Sequence, residues 1–253
     1  MIAISRIKAG KQSHWCLGTA VLLALFVLPA QAQESPEYLL EVGTGAGLTT
    51  YEGDFNSNLL TGMQPAFALV AKYKQNPRMA WTAALTYSKL KGSSKDASTW
   101  YPADPDVLLP TVVADGSMPA VLDWTFDNPV MDLTLRYEYN FWAYGTGREF
   151  YGARRVAPFL TLGMGLTYAD AKPGVLTAKL PIGGGVKIKI AERLNLTAEW
   201  VMNFTGSDKL DGKKDPYGIQ SSGLFKNNDC YSTMQVTVTY DLLEKCKTCN
   251  NDR

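Results

Sequence analysis

The 253-residue chain holds one histidine and four cysteines. The histidine, His14, lies in the N-terminal segment. A chain that sheds this segment has no imidazole for a Ser-His or Cys-His nucleophile. Downstream of residue 32 no run of about 18 uninterrupted apolar residues occurs, and mean hydropathy is −0.12, so membrane-spanning helices are not expected. Twenty-five basic residues face 24 acidic ones, for a net charge of +1, and nothing points to nucleic acid. No metal, nucleotide or other cofactor is implied, and an enzyme is not expected.

What is present begins with a secretory leader. Arg6, Lys8 and Lys11 form a basic region, an apolar stretch runs from Cys16 to Leu28, and Pro29 precedes Ala30-Gln31-Ala32, a small-x-small cleavage site. The apolar run is too short to span a bilayer as a helix, and Cys16 stands at its start, which disfavours a lipoprotein. Residues 1–32 are read as the signal peptide, 33–241 as one barrel domain and 242–253 as a short periplasmic tail.

Period-two alternation dominates the rest. In Met131 to Phe141, Met131, Leu133, Leu135, Tyr137, Tyr139 and Phe141 share one face, and Asp132, Thr134, Arg136, Glu138 and Asn140 the other. A strand separates these sets, whereas a helix would scatter them. Leu194–Phe204 and Thr233–Tyr240 repeat the pattern. Weaker versions run over Tyr38–Thr50, Ala66–Lys74, Ala80–Ser88, Leu160–Tyr168 and Leu180–Ile190. Eight such segments of about 9–12 residues predict an all-β fold, a single eight-stranded antiparallel transmembrane barrel of outer-membrane type.

A soluble lipocalin-like barrel also alternates, with its apolar face inward. Three features favour the membrane form. With both termini in the periplasm, the connections Gln75–Met79 and Ala191–Arg193 are short, and only Ala143–Val156 is long on that side. Those opposite, Tyr51–Met63, Gly92–Phe126, Asp170–Lys179 and Thr205–Asp229, are longer. Aromatic residues of the apolar face gather toward the strand ends: Tyr38, Tyr73, Trp81, Tyr139, Phe141 and Tyr240 on one side, Phe67, Tyr87, Tyr168 and Phe204 on the other. The polar face carries Glu41, Asp132, Glu138 and Glu199 with Lys72, Lys74, Arg136, Lys187 and Lys189, charges of both signs that can fill a narrow lumen as ion pairs. Eight strands leave room for side chains but not for an aqueous channel, so a bulk-solute porin is disfavoured. Location in the outer membrane, with lipid as the surrounding partner, follows.

Other motifs weaken on inspection. Gly43-Thr44-Gly45-Ala46-Gly47 lacks the following helix and the spacing of a phosphate loop, and reads as space-making glycines of a strand. Cys246-Lys247-Thr248-Cys249 lies in the tail without a surrounding βαβ unit. A local disulfide, a bond to a partner or a functionless tail all remain open for Cys246 and Cys249. Cys230 lies at the opposite end of the last strand, out of their reach. Arg148, Arg154 and Arg155, with Lys245, Lys247 and Arg253, make the periplasmic side basic, either a solvated charge cluster or a docking surface for a partner.

Several segments together resemble a known family. They are Tyr51-Glu52-Gly53-Asp54-Phe55-Asn56, Tyr139-Asn140-Phe141-Trp142-Ala143-Tyr144-Gly145, Ala157-Pro158-Phe159-Leu160-Thr161-Leu162-Gly163-Met164-Gly165-Leu166, and Gly185-Val186-Lys187-Ile188-Lys189-Ile190 leading to Glu199-Trp200. They are similar to the PorG-like outer-membrane barrels of Bacteroidetes, a family that includes a type IX secretion component. The resemblance implies a structural subunit that contacts periplasmic ring proteins of the PorK and PorN kind. The alternative is a stand-alone OmpA- or OmpW-type barrel that binds surface ligands or a small hydrophobic solute through its outer loops.

Overall fold

The computed structural model describes residues 37–53, 55–56, 60–93, 125–146, 152–212 and 228–244. The leader, Arg148, Cys246 and Cys249 lie outside them. Eight strands are formed: β1 Tyr38–Glu52, β2 Gln64–Asn76, β3 Met79–Ser93, β4 Thr125–Asn140, β5 Val156–Ala169, β6 Val175–Lys189, β7 Leu194–Thr205 and β8 Cys230–Glu244. Each pairs antiparallel with its sequence neighbour, and β1 pairs with β8 to close the barrel.

Alternation dictates two surfaces. On β2, Phe67, Leu69, Ala71 and Tyr73 face out while Ala68, Val70 and Lys72 are buried; on β5, Leu160, Leu162, Met164 and Leu166 face out while Thr161 and Thr167 are buried. The exterior therefore carries Leu133 at 58 % exposure and Met164 at 71 %, while Lys72, Arg136 and Glu138 inside are at 3 % or less. Water would penalise so continuous an apolar exterior, and a lipid bilayer satisfies it. The molecule is a transmembrane barrel with its polar face inward, not a lipocalin turned the usual way. Rows of outward residues follow the register, with Phe67 beside Tyr87, Tyr87 beside Met131 and Met131 beside Tyr168 at one level, and Tyr73 beside Trp81 and Trp81 beside Tyr137 at another.

Two glycines of β1 lie tightly against β8. A Cβ on Gly43 would stand 2.0 Å from the Val238 carbonyl oxygen, and one on Gly47 would stand 2.1 Å from that of Met234. At these two positions the neighbouring strand leaves no room for a Cβ, and Gly163 on β5 and Gly185 on β6 meet their neighbours as closely, at 2.2 Å.

Several strands outrun the sequence limits, and the reason is physical. At the end of the barrel away from residues 38 and 244, here the far end, the polarity of the two faces inverts. Outward positions become polar, with Lys89 and Lys91 on β3 and Asp127 on β4. Inward positions become apolar: Tyr51, Phe55, Leu90, Phe126, Val130, Ala169, Leu210 and Tyr231 form one buried cluster. The ladder runs on above the hydrocarbon, where an ordinary aqueous pattern returns. Tyr51, Gly92, Phe126 and Lys179, assigned to loops from sequence, are thus strand residues. At the near end β8 continues through Leu242, Leu243 and Glu244, which sequence placed in the tail; Leu242 faces Leu40 and Glu244 faces Tyr38. Phe141 falls just past the end of β4, and Ile190 just past β6.

Tyr38 departs from its expected place in the aromatic belt. It is 2 % exposed, and its ring lies 5.3 Å from the Lys189 ammonium and 5.9 Å from that of Lys74. Leu243 opposite Leu39 adopts φ of 55°, and these two residues form no pair in the ladder. Alternation breaks there, and cation–π contact holds the ring across the barrel mouth.

Candidate functional site

Inward polar residues from all eight strands meet in three groups along the barrel axis. Nearest the chain ends, Lys74 reaches Glu41 at 2.8 Å and Asp241 at 2.6 Å, and Lys189 reaches the other Asp241 oxygen at 2.6 Å. Thr239 donates to Glu41 at 2.9 Å. In the middle, Glu138 receives Lys187 at 2.5 Å, Lys72 at 3.3 Å and the Thr82 hydroxyl at 2.6 Å. Beside it Arg136 donates through both terminal nitrogens to Glu199, at 2.9 and 3.2 Å, and Gln235 also donates to that carboxylate. The third group centres on Asp132, which takes Lys179 at 3.0 Å, Thr167 at 2.8 Å and the Tyr231 hydroxyl at 2.7 Å.

These groups bridge strands that are not neighbours. The contact of Asp132 on β4 with Tyr231 on β8 joins strands four places apart in a ring of eight, so side chains span the full width there. Arg136 and Glu199 join β4 to β7. The interior is thus packed rather than open at these levels. In these three groups each carboxylate is held by at least one cation. Desolvating these ions is costly, and the bidentate and multiply bonded geometry is what offsets it.

The structure places Glu41, Lys72, Asp132, Arg136, Glu138, Lys187, Lys189 and Glu199 all inside the barrel. Sequence reasoning left out Asp241, Lys179, Tyr231 and Tyr144. Asp241 and Lys179 sat just past the assumed strand limits. Extending the parity of Thr237 and Thr239 by one step would have reached Asp241.

Both mouths carry further structure. At the near end the β4–β5 connection folds back: Tyr144 N donates to Pro77 O at 2.9 Å, Arg154 N to Ala143 O at 2.7 Å and Gly145 N to Arg154 O at 3.1 Å. The Tyr144 ring enters the barrel, and its hydroxyl donates to Asn195 at 2.8 Å. Burial, with the Glu41 and Asp241 carboxylates nearby, raises that phenol above its ordinary pKa. Arg154 is exposed and stacks on Trp142, 4.7 Å from the ring centre. Arg155 is also exposed and lines a recess of about 290 Å³ with Thr146, Lys189, Ala191 and Glu192.

At the far end Tyr51 donates to Asp229 and, at 3.1 Å, to Asp211, while Asp229 accepts the Leu210 amide at 2.8 Å. Burial and the adjacent Asp211 raise the Asp229 carboxyl well above the ordinary carboxylate pKa. Cys230 Sγ lies 3.2 Å from the Glu52 carbonyl oxygen.

No known sequence family and no curated protein matches the chain. Solved structures of similar architecture exist. Neisserial surface protein A is 14% identical over 80% of this chain and 97% of its own, with a TM-score of 0.48. Ail of Yersinia pestis, the attachment invasion locus protein, is 12% identical over 82% of this chain and 99% of its own, with a TM-score of 0.41. The outer membrane enzyme PagL is 12% identical over 80% of this chain and 99% of its own, with a TM-score of 0.35.

Proposed function

We propose that this chain is a non-conducting, non-enzymatic barrel of the outer membrane with both termini in the periplasm, and that it works by docking a periplasmic partner at its near end. The packed interior carries the reading, since side chains that bridge opposite strands leave the two mouths and the lipid face as the working surfaces. At the near mouth the described ends of the β4–β5 connection are joined by main-chain hydrogen bonds between Ala143, Gly145 and Arg154, and Arg154 and Arg155 stand exposed beside a recess. Exposed guanidinium groups on a fixed frame suit carboxylates of a partner, because little side-chain and loop entropy is lost on contact.

The resemblance noted in the sequence directs the choice of partner. We assign the chain a structural role in a type IX secretion machinery, in contact with ring components of the PorK and PorN kind. Replacing Arg148, Arg154 and Arg155 with Ala is expected to cut recovery of the ring proteins from native outer membranes about tenfold or more, while the barrel keeps its heat-modifiable migration. Unchanged recovery would remove this docking surface. If deletion of the whole chain also leaves secretion intact, the stand-alone OmpA- or OmpW-type reading takes its place. The far mouth supports that second reading, since Leu210 is fully buried there and held through Asp229 as a firm base for ligand-binding loops.

A further inference from the structure

We propose that the outward face of β3 at the far end binds a phosphorylated glycolipid of the outer leaflet through Lys89 and Lys91. The inference goes beyond docking at the near mouth and rests only on the far end lying at the cell surface.

The outward residues of β3 run Trp81, Ala83, Leu85, Tyr87 and then Lys89 and Lys91, so one strand face passes from apolar to cationic without a break in parity. Tyr87 belongs to the far row with Phe67, Met131 and Tyr168, where aromatic side chains mark the membrane interface. Two residues advance a strand by ~7 Å, and strand tilt reduces that gain in height. Lys89 and Lys91 therefore stand ~5 and ~10 Å above the aromatic row, in the headgroup layer.

Charge at this patch is unbalanced. On β4 the facing residues are Pro129 opposite Lys89 and Asp127 opposite Lys91. Lys89 Nζ lies 3.8 Å from Asp127, with both side chains about half exposed, a loose and weak pair. Between β3 and β4, among the described residues, one outward carboxylate stands against two ammonium groups; the next, Asp170, is exposed on the far side of Pro129, whose carbonyl accepts its amide at 2.9 Å, a further strand away from Lys89. Directly below lie Tyr87, Leu85 and Leu133, all about half exposed and apolar. A ligand that satisfies both parts is an amphiphile with acyl chains along the lower wall and phosphate at the lysines. The doubly phosphorylated glycolipid of a cell-surface leaflet has that shape and charge.

Native mass spectrometry of the full mature barrel in detergent tests this, with bisphosphorylated lipid A as the probe. Lys89→Gln/Lys91→Gln is expected to bind it about 30-fold more weakly, which is ~2 kcal/mol at 1.4 kcal/mol per tenfold and matches two lysines near a charged surface. Lys172→Gln, at an exposed position between β5 and β6, should bind as the unaltered barrel does. Lipid A stripped of phosphate should bind the unaltered barrel no better than bisphosphorylated lipid A binds the double variant. Heat-modifiable migration of each variant shows that it is folded. Equal binding by the double variant, or equal binding of the phosphate-free glycolipid, would overturn the site. Phosphatidylglycerol bound as tightly, and lost equally with the two lysines, would overturn the assignment to a glycolipid.

Discussion

Glu138→Ala is expected to lower the unfolding free energy by about 3–5 kcal/mol, seen as a fall in the urea midpoint in detergent micelles. Glu138 is fully buried and is the shared counter-ion of Lys72 and Lys187. Its loss leaves two ammonium groups facing one another inside the barrel and orphans the Thr82 hydroxyl. The cost lies in the uncompensated charges, and the net worth of the intact pairs is much smaller. Lys72→Met/Glu138→Leu/Lys187→Met, which removes the group as a unit, should therefore lie far closer to the unaltered barrel than Glu138→Ala does. A loss under about 1 kcal/mol for Glu138→Ala would mean that water solvates the lysines and that the interior is open.

Leu133→Arg is expected to cost about 2–4 kcal/mol in a bilayer, because the position faces outward near mid-strand. The same substitution at a 58 % exposed position of a water-soluble barrel would change stability by about 0.5 kcal/mol or less. Reversible urea unfolding in lipid vesicles separates these outcomes. A cost within that small range would place Leu133 in water.

Legibility of the fold followed the solvent. Where strands cross hydrocarbon, each residue is either lipid-facing or interior, and the alternation of Met131 through Tyr139 or Leu160 through Tyr168 can be read directly. Beyond the interface the same parity carries the opposite polarity. Lys89 and Lys91 follow Tyr87 outward, and Leu90 follows Ser88 inward. Apolar parity ends at that inversion, so on its own it predicts shorter β3 and β4 strands and places Tyr51 and Phe126 in loops. The inward charges share the parity of their strands and so were visible as a set. Their partners were not: that Glu138 meets Lys187 on β6, and Arg136 meets Glu199 on β7, depends on stagger between strands distant in sequence. Tyr144 could not be placed from its own segment, because it enters the barrel through a connection fixed by Pro77 and Arg154 rather than by any local pattern. Tyr38 likewise turns inward beside the break in the β1–β8 ladder at Leu39 and Leu243, residues more than two hundred positions apart in the chain.

The most direct test is spin-label accessibility in lipid vesicles, with the native cysteines replaced by Ser and single labels at Leu133, Leu135 and Leu162 and at Thr134 and Thr161. Labels at the three leucines should collide readily with dissolved oxygen and hardly at all with a water-soluble nickel chelate, while those at the threonines should meet neither reagent freely. Leucine labels open to the chelate, or shielded from oxygen within a dry interior, would contradict the orientation of the barrel.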